Sequence, residues 1–182
     1  CKKISYLFPR AHAVAYVMMA FRIAWFKVYH PLAFYAAYFS IRAKAFDLRI
    51  MTGDLNTQLK EFNRIKALDR GASPKEKDLM SALEVSMEMY QRGYRFINVD
   101  IQHSGARRFS IKDGALLPPF LAIDSLGETV ADAIVEERDT KPFTSLKDLQ
   151  RRCKVSATII ETMKELKCCG DLPEDEQMSL FG

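Results

Sequence analysis

Apolar residues recur at helical spacing along most of this chain, and the period changes only once. From residue 10 to 29 small and apolar residues run together without Gly or Pro, which predicts a helix. His30-Pro31 breaks it, because a residue before proline avoids the helical region. Pro31 can then open a second helix over about 32–46. Leu55, Leu59, Phe62 and Ile65 predict a third helix over 54–69, started by Gly53-Asp54. Ser73-Pro74-Lys75-Glu76 has the form of a capping box with proline in the first turn. The helix it opens carries Leu79, Leu83, Met87 and Tyr90 on one face and stops at Gly93.

The period then shifts to two. Phe96, Ile97, Val99 and Ile101 predict a short strand. Residues 108–112 and 115–117 flank Asp113-Gly114, a two-residue turn that favours a hairpin. Beyond Pro118-Pro119 short helices return at Glu128–Arg138, Ser145–Cys153 and Ser156–Leu166. Ser145 with Asp148, and Ser156, supply start signals for the last two. The fold class expected is mainly α, with one small β hairpin.

Charge changes this picture. The 182 residues hold 27 Lys/Arg and 23 Asp/Glu, a net +4. Eight of the basic residues and a single acid, Asp47, fall in residues 1–50, so that stretch is +7 and the remainder −3. The same 50 residues hold 12 of the 20 aromatics. The longest uncharged run, Val28–Ile41, is 14 residues and contains Pro31, short of the roughly 18–20 a spanning helix needs. No membrane partner is expected, and Trp25, Phe26, Phe34, Tyr35 and Phe39 are expected in a core. Cys1, Cys153, Cys168 and Cys169 lack C-x-x-C spacing, and the three histidines are scattered. The four cysteines read as reduced thiols of a cytoplasmic protein, with no metal site. A chain that opens at Cys1 without Met reads as a piece of something longer.

Candidate chemistry lies in residues 123–138. A hydrophobic lead-in, a Gly-containing turn and an immediate helix start expose backbone N–H groups that can bind an anion. Gly127 lets a phosphate approach where a Cβ would obstruct it. An ordinary helix–turn–helix packing unit is the alternative. The tail Gln177-Met178-Ser179-Leu180-Phe181 places two apolar residues at a chain end after an acidic linker, a pattern suited to a partner's pocket or to folding back on its own domain.

The 123–138 segment resembles the helix-hairpin-helix DNA-binding motif, with Ser125-Leu126-Gly127 where the hairpin usually reads Gly-hydrophobic-Gly. Residues 145–172 look like a second, degenerate copy, with Lys154-Val155 at the turn. The tail is similar to the bacterial sliding-clamp-binding peptide, with Met178 in place of Leu. Phe8-Pro9-Arg10-Ala11-His12-Ala13-Val14-Ala15-Tyr16 is similar to a segment in the fingers of bacterial replicative polymerases. The whole chain resembles the C-terminal part of the DNA polymerase III alpha subunit of the PolC type.

That resemblance implies four parts: polymerase fingers over 1–95, a small β element over 96–117, a tandem helix-hairpin-helix duplex-binding module over 118–172, and a clamp-binding tail over 173–182. It places Phe8, Arg10, His12 and Tyr16 near the incoming nucleotide, although His12 and Tyr16 equally suit capping and packing of their helix. It assigns DNA contacts to Ser125, Leu126, Gly127, Glu128, Thr129, Lys141, Arg151, Arg152, Lys154 and Ser156. The acids Glu128, Asp132, Glu136 and Glu137 are expected on the face away from DNA. Gln177, Met178, Ser179, Leu180 and Phe181 would bind the sliding clamp, the beta subunit. The implied partners are primer–template duplex, an incoming deoxynucleotide, the clamp and other replisome subunits. The palm carboxylates that hold Mg2+ in this family precede the matched segment, so the chain alone should not polymerise. An autonomous helix-hairpin-helix repair module and a clamp-docking adaptor are the competing readings.

Overall fold

A helix that is apolar on every side has no preferred face to bury. Arg10–Tyr29 (α1) is such a helix, and none of its residues is buried. The computed structural model describes residues 10–175 of the chain. Trp25 and Phe26, expected in a core, are 49% and 51% exposed, because α1 packs chiefly on one neighbour. That neighbour is Pro31–Ile41 (α2), which starts with Pro31 and turns Tyr35 and Phe39 inward. Phe34 is half-buried. At 20 residues α1 is also long and apolar enough to cross a membrane, by length and composition. The expectation of no such segment counted uncharged runs only, whereas a helix carries Arg22 and Lys27 within its length because long cationic side chains extend past apolar surface.

The second helix ends at Ile41, short of the expected 46. The four-residue helix Leu48–Met51 (α3) follows, capped by Asp47, which accepts from the Ile50 amide at 3.0 Å. Leu55–Ala67 (α4) is capped by Asp54, which accepts from the Thr57 amide at 2.7 Å. Pro74–Gln91 (α5) begins with the reciprocal box: the Glu76 amide donates to Ser73 Oγ at 3.2 Å, and the Ser73 amide donates to Glu76 Oε2 at 2.9 Å. Gly93, at φ 85°, turns the chain out of α5. Buried Gln58 ties α3, α4 and α5 together: its amide donates to the Met51 carbonyl at 3.1 Å, and Ser86 Oγ donates to its Oε1 at 2.6 Å.

The expected hairpin forms. Ser110–Lys112 (β1) pairs antiparallel with Ala115–Leu117 (β2), and both turn residues take positive φ, Asp113 at 50° and Gly114 at 74°. The expected strand over 96–101 does not form. Only Phe96 makes an isolated parallel bridge, to Leu116. Beyond it, side chains take over backbone donors: Asn98 Oδ1 accepts from Val99 N at 2.9 Å, and Asp100 Oδ1 from Gln102 N at 2.8 Å.

Two apolar cores result. Tyr35, Phe39, Met51, Leu83, Phe96 and Leu116 centre the first. Phe120, Ile123, Ile134, Leu149, Ile160 and Met163 centre the second, together with Val99 and Ile101. Phe46 packs against both, edge-on to Phe96 at 5.2 Å and Phe109 at 5.0 Å. The second core is enclosed by Glu128–Thr140 (α6), Leu146–Cys153 (α7) and Ala157–Glu165 (α8).

Asp100 buttresses the turn between the cores. Burial pushes its carboxyl up, but Lys112 Nζ at 2.8 Å, the Gln102 amide and His103 more than offset that, and the pKa falls from 3.8 to about 2. A depressed carboxylate stabilises the fold above its unfolded pKa, and that contribution is lost as pH falls from about 4 toward 2. Asp100→Asn should therefore flatten the acid limb of a melting-temperature profile between pH 2.5 and 6. An unchanged acid limb would remove Asp100 as its cause.

Candidate nucleic-acid interface

Two hairpins share one backbone pattern. In the first, Ser125 sits in the left-handed region at φ 65°, Leu126 is buried in the second core, and Gly127 is extended at φ −77°, ψ 159° before α6. In the second, Lys154 is left-handed at φ 54°, Val155 is buried, and Ser156 is extended at φ −68°, ψ 153° before α8. Serine and lysine thus adopt the turn that glycine makes at lower cost. Leu126 and Val155 plug each hairpin into the core, which fixes the helix starts beside them.

Helix α6 has no side-chain cap, since Gly127 brings none. Its first-turn amides remain available to an anion, with the helix dipole behind them. A Cβ on Gly127 would meet nothing within 4 Å, and its φ suits any residue. In α8 the Ser156 hydroxyl accepts from the Ile159 amide at 3.3 Å, so one donor is already used.

The charged candidates divide. Lys154 and Lys141 are exposed, as are Ser125, Gly127, Glu128 and Thr129. Arg151 is exposed and pairs with Asp148 at 2.8 Å. Arg152, expected at phosphate, turns inward instead, with its side chain 15% exposed. Its Nε meets Glu137 Oε2 at 3.0 Å, Nη1 meets Asp148 Oδ2 at 3.2 Å, and Nη2 donates to the Lys141 carbonyl at 2.9 Å. Its guanidinium also lies 4.7 Å from the Phe143 ring centre. Arg152 stitches α7 to the end of α6, and five planar donors suit that seam. Burial pushes Asp148 up, but Arg151, the Thr144 amide and Arg152 outweigh it and hold its pKa down.

Glu128 and Asp132 stand beside the first hairpin, and both pair with Arg107. Sequence spacing could not reveal this, because Arg107 is 21 and 25 residues from its partners. The Arg107-Arg108 doublet was the available signal.

At the other end, Arg10, His12 and Tyr16 occupy the first two turns of α1, exposed, with the His12 and Tyr16 rings edge-on at 4.5 Å. The far end of α1 is pinned: Arg92 Nη2 donates to the Lys27 carbonyl at 2.8 Å, Nη1 to Tyr35 Oη at 3.0 Å, and Lys27 pairs with Glu88 at 2.6 Å. Phe8 and the tail residues Gln177, Met178, Ser179, Leu180 and Phe181 lie outside the described residues.

The helix-hairpin-helix motif family matches residues 93–178, a span that takes in both hairpins and the turn before them. Along its whole length the chain is similar to DNA polymerase III PolC-type proteins. It is 49% identical over 181 residues to that of Caldanaerobacter subterraneus subsp. tengcongensis and 46% identical over 183 residues to that of Streptococcus pyogenes serotype M12. The matched stretch makes up 13% and 12% of those two proteins.

Proposed function

This chain is a relative of the PolC-type DNA polymerase III proteins, spanning about an eighth of their length, and from that premise we propose that it is the duplex-gripping and fingers segment of such a polymerase. The observation that carries the reading is the pair of matched hairpins inside a helix-hairpin-helix match. Each would hold one backbone of a primer–template duplex through first-turn amides, with Lys154, Lys141 and Arg151 adding charge. The similarity extends through residues 1–95 as well, which favours this reading over a free-standing repair module or an adaptor.

On this reading Arg10 and His12, with Phe8 and Tyr16 as aromatic walls, face the incoming nucleotide, where cations offset triphosphate charge. The parent enzyme would work in the cytoplasm with Mg2+. Among the described residues no three His, Cys, Asp or Glu side chains gather to hold a metal ion. The described residues do not fit a two-metal site, and no step of phosphoryl transfer is assigned to them.

The tail would dock on the sliding clamp through Leu180 and Phe181. Phe181→Ala is expected to abolish clamp binding in surface plasmon resonance and to leave duplex affinity unchanged. Undiminished clamp affinity would remove the docking role, and failure of the parent chain to bind duplex would remove the gripping role.

A further inference from the structure

Two carboxylates beside an anion site need an explanation. Glu128 is the first residue of α6 and Asp132 lies one turn on, so both stand next to the amides that follow Gly127. Left bare, they would repel a phosphate approaching those amides.

Arg107 meets both. Its Nη1 donates to Glu128 Oε2, its Nη2 to Asp132 Oδ2, and its Nε to Asp132 Oδ1 at 3.1 Å. One guanidinium thus spans two carboxylates through three of its donors. Arg107 belongs to neither helix of either hairpin. It sits on a strap held along the lead-in to the first hairpin. The Phe120 amide donates to the Gly105 carbonyl at 2.9 Å and the Leu121 amide to the Ala106 carbonyl at 3.1 Å. Buried Ser104 donates through Oγ to the Pro118 carbonyl at 2.8 Å, and Arg138 of α6 donates to the Ser104 carbonyl at 2.8 Å. The strap is therefore tied to α6 at both ends, by Arg138 near its end and by Arg107 at its start.

We propose that Arg107 is a positioning residue for duplex binding, neutralising Glu128 and Asp132 and holding their carboxylates aside so that a DNA phosphate reaches the backbone amides of the first hairpin. This rests on the DNA-binding reading above. Arg107 acts through the two acids: its Nε and one N–H on each terminal nitrogen are directed at them.

The test measures the affinity of the 182-residue chain for a duplex oligonucleotide across a salt series. Four proteins are compared: the parent, Arg107→Ala, Glu128→Gln/Asp132→Asn, and the triple variant. Arg107→Ala should weaken binding about tenfold. Glu128→Gln/Asp132→Asn should bind at least as tightly as the parent. The triple variant should match it within about twofold, since no acids remain to neutralise. Parent-like binding by Arg107→Ala overturns the proposal. So does a tenfold loss that persists without the acids and lowers the salt slope by about one, which marks a direct phosphate contact. Should Arg107→Ala fail to fold, weaker binding by Glu128→Gln/Asp132→Asn than by the parent overturns it alone. A parent chain that binds no duplex overturns the DNA reading itself, a result separate from the other arms.

Discussion

Gly127→Val is expected to leave the folded chain intact and to weaken duplex binding by about ten- to a hundredfold, the worth of one or two charge-assisted hydrogen bonds. Gly127 has φ −77° and open space around its missing Cβ, so valine fits the backbone and meets no neighbour. On the proposed DNA-binding reading, a branched side chain at the helix start would obstruct a phosphate approaching the first-turn amides of α6. Because no cation is removed, the slope of log affinity against log salt should change little. Fluorescence anisotropy with a labelled duplex reads the affinity, and thermal denaturation reads the fold. Unchanged affinity would show that the hairpin is a packing unit only. A large drop in melting temperature would show that the glycine serves the fold.

The second large effect is on stability. Phe120 is fully buried at the centre of the second core, on the short turn between Pro119 and the first hairpin. Phe120→Ala should cost about 3–5 kcal/mol, because the lost transfer energy adds to that of an unfilled cavity. Chemical denaturation measures it, with Ile111→Ala on the exposed face of β1 as the control, expected to cost under about 1 kcal/mol. A cost for Phe120→Ala as small as the control's would displace it from the core. Gly127→Val and Phe120→Ala lie seven residues apart and should act on different quantities.

Much of the local architecture was legible in the sequence, because caps and turns are decided within four residues. Asp54, Ser73 with Glu76, Ser145 and Ser156 all start helices as their types suggest. Asp113-Gly114 makes its hairpin for the same reason. The period-two run from Phe96 to Ile101 misled, since its apolar residues serve two cores and not one sheet face: Phe96 enters the first and Val99 and Ile101 the second. Charge was legible but its direction was not. Arg151 and Arg152 are neighbours of one type, yet one faces solvent and the other closes a seam, a choice made by Glu137 and Phe143 from outside α7. Arg107 depends on partners more than twenty residues away, beyond any local pattern. In α1 the absence of a polar face was visible, but apolarity alone does not say which neighbours are present to bury it.

The pinning of α1 has a mechanical side. A straight helix of 20 residues is a rod of about 30 Å. Among the described residues, Arg92, Tyr35 and Glu88 clasp it near one end, beside Lys27. Arg10 and His12 ride on the other end. Such a rod is a lever with its fulcrum at α5: a tilt of about 10° at the Arg92 clasp sweeps the tip through roughly 5 Å over that length. A slight rearrangement of that guanidinium would, by this geometry, be geared up into a displacement as large as a phosphate group.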